Sequence, residues 1–223
     1  METIKYQFNG YDATVIIPDN PNGKWVWKTE FFYAFDASER ALLDLGYTRV
    51  YYQISDKYGS DYAVRLMHAF HLDVVKRFNL EKKANLLGMS RGGLYAFNYS
   101  IYYPEYVEKV YLDAPVLDLK TWPPKKSIEY YQFLEEYCLS DDTYEKFNQS
   151  PVNRFKEYFM HNIPTLLVAG CSDEVVPFDQ NSKLMIDYAK DNKIDLVYYL
   201  KPECKHHPHS LEDVTPIIEF FEK

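Results

Sequence analysis

The sequence predicts an α/β fold in which helices cover both faces of a mostly parallel central sheet. Strand-like and helix-like segments alternate along most of the chain, as they do where helices connect parallel strands. Two of the strand-like segments, 83–87 and 165–170, are short apolar runs, which is typical of strands buried on both faces. The chain has 223 residues, of which 47% are hydrophobic. We therefore expect one domain over residues 1–223 with a large core.

The N-terminal part of the chain predicts a hairpin followed by alternating strands and helices. Two segments of alternating polarity, 3–8 and 11–18, flank Asn9-Gly10, a dipeptide that strongly favours a β-hairpin. Ser60 or Asp61 is expected to cap a long amphipathic helix. Before the chain reaches 83–87, we expect strands at 24–27 and 47–54, and helices at 31–45 and 60–78.

The regular alternation is interrupted at residues 118–162, where Trp122-Pro123-Pro124 prevents a continuous helix. We interpret this segment as a helical lid inserted into the domain, because it is too short for a core of its own. Its helices are expected at 127–138 and 142–158. Beyond residue 90, the other helices are expected at 94–103, at 177–192 and from Thr215, which is expected to cap the last helix. The other strands are expected at 107–113, 165–170 and 195–200.

One motif, Gly88-Met89-Ser90-Arg91-Gly92-Gly93, lies between a predicted strand and a predicted helix. A serine flanked by glycines at this corner is the pattern of a nucleophile elbow, which needs glycine because the turn is tight. The serine hydroxyl would then lie at a helix N-terminus, which favours developing negative charge. The alternative is a glycine-rich turn with a capping serine.

A serine nucleophile needs a histidine base and a carboxylate that orients the histidine. Asp173 follows the strand predicted at 165–170, and His206 follows the strand predicted at 195–200. Both therefore lie at the same edge of the sheet as Ser90. The order Ser, Asp, His matches that of an α/β-hydrolase triad.

Other residues compete for these roles. Glu174 and Asp113 are rivals of Asp173, which could also be only a helix N-terminal carboxylate, and His207 is the rival base. His206, His207 and His209 could together bind zinc, but no cysteine or carboxylate pattern with zinc spacing accompanies them. We expect neither a metal nor another cofactor.

The oxyanion hole of such an enzyme needs two N–H donors. The residue after the nucleophile, Arg91, is expected to provide one of them. The second should come from the loop after the strand at 24–27, and of Lys28, Thr29 and Glu30 we favour Thr29.

With these motifs, the sequence resembles the α/β-hydrolase superfamily, and within it small bacterial esterase-like or prolyl-oligopeptidase-like hydrolases. The resemblance implies that Ser90 is the nucleophile, Asp173 the acid and His206 the base. It also implies a serine hydrolase of carboxylic esters, with an acyl ester of a sugar or aromatic alcohol as substrate. The stretches that carry it are 24–32, 55–59, 88–94, 112–116, 122–123 and 206–211.

Two other functions remain open from the sequence. One is a prolyl-oligopeptidase-like peptidase, although such enzymes rely on a further domain to screen peptides, which this chain is too short to contain. The other is a non-catalytic binding protein on a hydrolase fold. Glu30, Tyr58 and Trp122 are candidate substrate-binding residues, and Tyr130 and Tyr131 are weaker ones, since core packing explains each of them equally well.

Composition limits the partners of the protein. The net charge is −8 and no stripe of lysine or arginine is present, so nucleic acids and anionic membranes are not expected to bind. The N-terminus has no signal-peptide pattern, and three scattered cysteines do not form a disulfide framework. We expect a cytoplasmic enzyme whose partner is a small-molecule ester.

Overall fold

The central sheet contains eight strands, and the computed structural model describes all residues from 1 to 223. The strands are β1 (Glu2–Phe8), β2 (Tyr11–Ile17), β3 (Trp25–Lys28), β4 (Thr48–Tyr52), β5 (Ala84–Met89), β6 (Val107–Asp113), β7 (Thr165–Gly170) and β8 (Val197–Lys201). The helices are α1 (Ala37–Asp44), α2 (Asp61–Phe78), α3 (Gly92–Tyr102), α4 (Ile128–Glu136), α5 (Asp141–Tyr144), α6 (Phe155–Phe159), α7 (Ser182–Asp191) and α8 (Thr215–Glu222). None of these helices combines the length and the apolar character that a membrane crossing requires.

The strand order across the sheet is β1-β2-β4-β3-β5-β6-β7-β8. Strand β2 is antiparallel to β1 and β4, whereas all pairs from β4 to β8 are parallel. Strand β5 lies between β3 and β6, so the carboxyl ends of β3, β5, β6, β7 and β8 meet at one edge. In a parallel sheet this edge is where ligands bind.

The central strands of the sheet are buried on both faces, and alternate side chains along them enter different apolar clusters. On β5, Leu86 belongs to a cluster of 41 buried residues, and its neighbour Leu87 belongs to a separate cluster of 10. Helices α2 and α3 cover the larger cluster, and α8 covers the smaller one through Ile217 and Phe221. The predicted α/β architecture, mostly parallel with helices on both faces, is confirmed.

Several local signals also act as the sequence predicts. Asn9 and Gly10 connect β1 to β2 with positive φ angles of 48° and 82°. The Ser60 hydroxyl caps α2 by accepting a hydrogen bond from the Ala63 N–H at 3.1 Å. Helix α3 ends just before Pro104, which cannot continue it.

Other helix boundaries differ from the predictions. The helix expected at 31–45 begins only at Ala37, because Phe31 and Phe35 adopt positive φ angles of 56° and 49° that no α-helix contains. The helix expected at 177–192 begins at Ser182, after a short 3₁₀ turn. Thr215 is already helical, and Val214 is the N-cap residue.

The segment 118–162 packs against the domain and shares its main core. The rings of Phe97 on α3 and Tyr158 on α6 stack with centroids 4.4 Å apart. The helix expected at 142–158 is divided into α5, a 3₁₀ turn and α6, because Pro151 lacks the N–H that a helix interior needs. The role of this segment as a lid stays a prediction.

Candidate active site

Ser90 occupies the sharp corner between β5 and α3 with a φ angle of 50°, a left-handed conformation that is strained for a serine. The glycines around it make the corner possible. A Cβ atom on Gly88 would lie 2.8 Å from the Gly92 carbonyl oxygen, and one on Gly93 would lie 2.4 Å from the Pro115 Cβ. The motif therefore folds as the strained strand-to-helix turn that the sequence predicts.

The structure brings Ser90, His206 and Asp173 into one chain of hydrogen bonds. The Ser90 Oγ lies 2.9 Å from the His206 Nε2, and the His206 Nδ1 lies 2.7 Å from the Asp173 Oδ2. Because an ionised carboxylate only accepts, the Nδ1–H of His206 donates to Asp173, which leaves Nε2 free to accept the Ser90 proton. All three side chains are buried, so these hydrogen bonds are largely shielded from water.

Backbone contacts hold the acid and the base in position. The second oxygen of Asp173, Oδ1, accepts hydrogen bonds from the N–H groups of Val175 and Val176 at 2.9 and 3.0 Å. The loop that carries His206 lies directly against the end of β7, where the Ser172 N–H donates to the Cys204 carbonyl at 2.9 Å. Main-chain contacts thus fix the carboxylate itself and the loop that carries the imidazole, at the same edge of the sheet.

Gly170 allows this close approach. A Cβ atom at this position would lie 2.3 Å from the Lys205 carbonyl oxygen and 2.4 Å from that of Cys204. We expect Gly170→Ala to displace the His206 loop and to lower kcat by about 100-fold, the effect of a displacement of about 1 Å at a catalytic group. Steady-state kinetics on a p-nitrophenyl ester measure this effect.

Gly10→Ala is the matched control for loss of stability. Gly10 has a φ angle of 82° with no atom near the added Cβ, so alanine strains a turn far from the site. This variant should lose about 1 kcal/mol of stability and keep the wild-type kcat. An unchanged kcat in Gly170→Ala would show that the packing at Gly170 does not position His206.

The rival residues lie elsewhere in the site. His207 is exposed and bonds neither Ser90 nor a carboxylate, and its ring stacks on Phe35 with centroids 5.6 Å apart. Glu174 is exposed as well. Asp113 is buried but receives the Nδ1–H of His209 at 2.7 Å, which the sequence did not lead us to expect.

Backbone hydrogen bonds leave Arg91 as a predicted oxyanion donor and correct the prediction for Thr29. The N–H of Arg91 donates to no atom of the chain and is available beside Ser90. The N–H of Thr29 instead donates to the Leu87 carbonyl at 3.0 Å, because the pairing of β3 with β5 continues by one residue. The next two N–H groups along this loop, those of Glu30 and Phe31, donate to no atom of the chain, and Phe31 also lines the cavity at Ser90.

A buried ion network beneath this loop was not predicted from the sequence. The Lys28 Nζ lies 2.7 Å from the Glu39 Oε1, and Arg49 lies 2.9 Å from Asp36. Burial lowers the pKa of the Lys28 ammonium, and the Glu39 carboxylate opposes this shift. The two cations and two carboxylates compensate one another, as buried charges must.

This network holds the loop 31–36 beside the nucleophile. The Lys28 ammonium donates to the Ala34 carbonyl, and the Arg49 guanidinium donates to the Phe32 carbonyl. Two backbone carbonyls of the loop are therefore bound to side chains from β3 and β4. Lys28 and Arg49 thus fix the loop that lines one side of the site. The sequence positions of the two residues do not predict this role.

A cavity of about 160 Å³ adjoins Ser90. Its lining is mainly aromatic, apolar and imidazole side chains. The lining residues are Phe31, Ala34, Phe35, Met89, Ser90, His206, His207 and His209. Sequence reasoning missed the loop residues Phe31 and Phe35 because it assigned them to a helix.

The predicted substrate-binding residues Glu30, Tyr58 and Trp122 do not line this cavity. Glu30 is buried and forms an ion pair with the Arg91 guanidinium at 2.9 Å; burial raises the pKa of its carboxyl and Arg91 opposes the shift. The Tyr58 hydroxyl donates to the Gln132 Oε1 at 2.7 Å, and its ring packs beside Trp122. Glu30 and Tyr58 thus contact Arg91, the residue after Ser90, and Trp122 packs on Tyr58.

The sequence model of the prolyl oligopeptidase family matches residues 46–223, about four fifths of the chain. The chain belongs to the prolyl oligopeptidase family. This assignment confirms the resemblance drawn from the motifs, and with it the prediction of a serine hydrolase with an α/β-hydrolase fold. No curated protein matches the sequence significantly.

Solved structures share the fold of this prolyl oligopeptidase family member at low sequence identity. A puromycin-hydrolyzing peptidase of Mycobacterium tuberculosis has a TM-score of 0.72 at 16% identity, over 99% of this chain and 38% of that one. The acylaminoacyl peptidase of Pyrococcus horikoshii has a TM-score of 0.68 at 14% identity, over 99% of this chain and 41% of that one. A carboxylesterase of Lactobacillus plantarum has a TM-score of 0.65 at 15% identity, over 92% of this chain and 85% of that one. The chain therefore spans less than half of the two peptidases and most of the esterase.

Proposed function

We propose that this serine hydrolase cleaves carboxylic esters through Ser90, His206 and Asp173. The hydrogen-bonded chain from Asp173 through His206 to Ser90 carries the proposal, because it is the arrangement that makes a serine hydroxyl nucleophilic at neutral pH. The free N–H of Arg91 at the start of α3 supports it, since a tetrahedral intermediate needs a donor beside the nucleophile.

The geometry suggests how each group acts. The Ser90 Oγ attacks the ester carbonyl while His206 Nε2 takes its proton, and Asp173 stabilises the imidazolium that forms. The N–H of Arg91, with that of Glu30 or Phe31, binds the oxyanion. His206 then protonates the departing alcohol, and a water molecule activated by the same imidazole hydrolyses the acyl-enzyme.

The cavity supports a short acyl group. Pockets that enclose drug-sized ligands measure about 300–1,000 Å³, and the cavity at Ser90 measures about 160 Å³. Phe31, Ala34, Phe35 and Met89 give it an apolar wall, and no carboxylate or guanidinium lines it. An acetyl or butyryl group therefore suits it better than a charged peptide terminus.

The surroundings of the cavity support a sugar or aromatic alcohol as the leaving group. Two aromatic residues that line it, Phe31 and Phe35, are also exposed to solvent, with 40 and 39% of their surface accessible. Exposed aromatic rings beside a nucleophile provide flat surfaces for stacking a sugar or an aromatic ring. A small-molecule ester is thus the proposed partner.

Peptide hydrolysis is the second candidate, and the family match favours it, because several fold relatives are peptidases. A matched pair of substrates separates the two functions. We expect turnover of p-nitrophenyl acetate and butyrate and of acetylated sugars, and a rate at background for N-acetyl-alanine p-nitroanilide. The rate should fall for p-nitrophenyl octanoate, which exceeds the cavity.

A peptidase would give the opposite result with these substrates. Cleavage of the anilide with a kcat/KM equal to that of N-acetyl-alanine p-nitrophenyl ester would reject the esterase proposal in favour of a peptidase. A feruloyl ester included in the same panel tests whether an aromatic acyl group also enters.

A further inference from the structure

Three histidines surround the cavity at Ser90. One ring nitrogen from each of His206, His207 and His209 lies within 4.8 Å of the other two. Their ring centroids are 4.9 Å apart in each pair. The proposed reaction uses only His206, so the other two imidazoles have no role in it.

Two of these rings are oriented by buried carboxylates. The Nδ1 of His206 donates to Asp173, and the Nδ1 of His209 donates to Asp113, each at 2.7 Å. Asp113 is itself fixed by the Tyr111 hydroxyl at 2.6 Å. A carboxylate that accepts the Nδ1–H fixes the tautomer and leaves the lone pair of Nε2 available. Histidines that bind a metal commonly have such a carboxylate on their other ring nitrogen.

The third ring is adjustable. His207 is exposed, its nitrogens have no hydrogen-bond partner in the chain, and its ring rests on Phe35. An imidazole binds a metal through the lone pair of a ring nitrogen, and both ring nitrogens of His207 are without a partner in the chain.

We propose that His206, His207 and His209 form an inhibitory binding site for Zn²⁺. Zinc accepts three imidazole nitrogens at about 2.0–2.1 Å with a water in the fourth position. The nitrogens would then be about 3.3 Å apart, so zinc binding requires a side-chain rotation of the exposed His207 and shifts of the His206 and His209 rings. Asp173 and Asp113 balance the two positive charges of the ion.

Inhibition follows because the zinc ion would bind the Nε2 of His206. The Nε2 of His206 lies 2.9 Å from the Ser90 Oγ and is the proton acceptor in the proposed reaction. A zinc ion on this nitrogen removes the base from Ser90. The inhibition rests on the proposed function, whereas the binding of zinc does not.

Binding is measured with Zn²⁺ alone, by competition with a fluorescent zinc indicator. Ser90→Ala keeps all three histidines and lacks the nucleophile, so it reports the site without turnover. We expect one zinc ion per chain in the wild type and in Ser90→Ala, and a dissociation constant raised more than about tenfold in His207→Ala and in His209→Gln. Mg²⁺, which prefers oxygen ligands, should not compete.

Two controls separate this site from other zinc ligands. His161→Ala removes a histidine outside the site, and Cys171→Ser combined with Cys204→Ser removes the thiol on the loop after β7 and the thiol on the loop of the three histidines. Neither should change the dissociation constant. Equal zinc binding by the His207→Ala/His209→Gln double variant, or loss of binding in the cysteine variant, would overturn the site.

Inhibition is tested separately on p-nitrophenyl butyrate. Zinc should slow the wild type reversibly, with full recovery in EDTA, and the inhibition constant should rise more than about tenfold in His207→Ala relative to its own metal-free rate. Zinc binding without any loss of rate would overturn the inhibitory role. If the wild type hydrolyses no ester, the proposed function is wrong. The binding titration still shows whether zinc binds at the three histidines.

Discussion

Replacing Ser90 by alanine is expected to lower kcat for p-nitrophenyl butyrate by a factor on the order of 10⁴ to 10⁶. The hydroxyl is the only nucleophile within hydrogen-bond reach of the His206 Nε2, at 2.9 Å. The remaining rate should reflect only binding and the oxyanion donors. Alanine meets the same φ strain as serine at 50°, so the melting temperature should stay close to that of the wild type.

Ser100→Ala is the control for this result. Ser100 is a buried serine on α3 whose hydroxyl bonds the Ala96 carbonyl at 2.7 Å, away from His206. It should retain the wild-type kcat. A Ser90→Ala enzyme that keeps more than about a tenth of the activity would exclude a serine mechanism at this position.

Replacing Asp173 by asparagine is expected to lower kcat about 10⁴-fold. The carboxylate receives the Nδ1–H of His206 at 2.7 Å, and an amide no longer fixes that tautomer or stabilises the imidazolium. The amide oxygen can still accept from the N–H groups of Val175 and Val176, so the loop should keep its shape. Stopped-flow or steady-state assays, together with circular dichroism, measure both effects.

Asp179→Asn is a suitable comparison, because Asp179 is an exposed carboxylate in the same loop region that makes no contact with His206. We expect its kcat to be unchanged. If Asp113→Asn abolished activity while Asp173→Asn did not, the acid would have been assigned to the wrong strand. The existing bond from His209 to Asp113 makes this comparison informative.

Local signals in the sequence were sufficient to predict the elbow and the places of the acid and base. Gly88 and Gly92 mark the turn because a side chain at Gly88 would collide with backbone and one at Gly92 with the side chain of Thr29, and the order of Ser90, Asp173 and His206 follows the strand ends. Parallel topology then brings those ends to one edge without further information. The contacts among them agree with the predicted roles, which the substitutions above test.

The predictions from the sequence that were wrong depend on contacts between residues that are distant along the chain. The hydrophobic spacing of residues 31–45 resembles a helix, but Lys28 and Arg49 hold the carbonyls of residues 34 and 32 in a loop, and apolar spacing does not encode such contacts. Thr29 was favoured as an oxyanion donor from its position alone, and one further backbone bond to Leu87 removes it. Glu30 was a candidate substrate-binding residue, but its carboxylate pairs with Arg91 and does not line the cavity at Ser90.

The proposed nucleophile can be identified by covalent labelling. A fluorophosphonate probe reacts with an activated serine hydroxyl and phosphonylates it, which the mass of the intact protein and of its peptides reveals. We predict one label per chain, located on Ser90, with no label in Ser90→Ala and a rate reduced at least about 100-fold in His206→Ala. An unlabelled wild-type protein, or a label on any other serine, would contradict a triad of Ser90, His206 and Asp173 and would favour a non-catalytic binding protein or a different site.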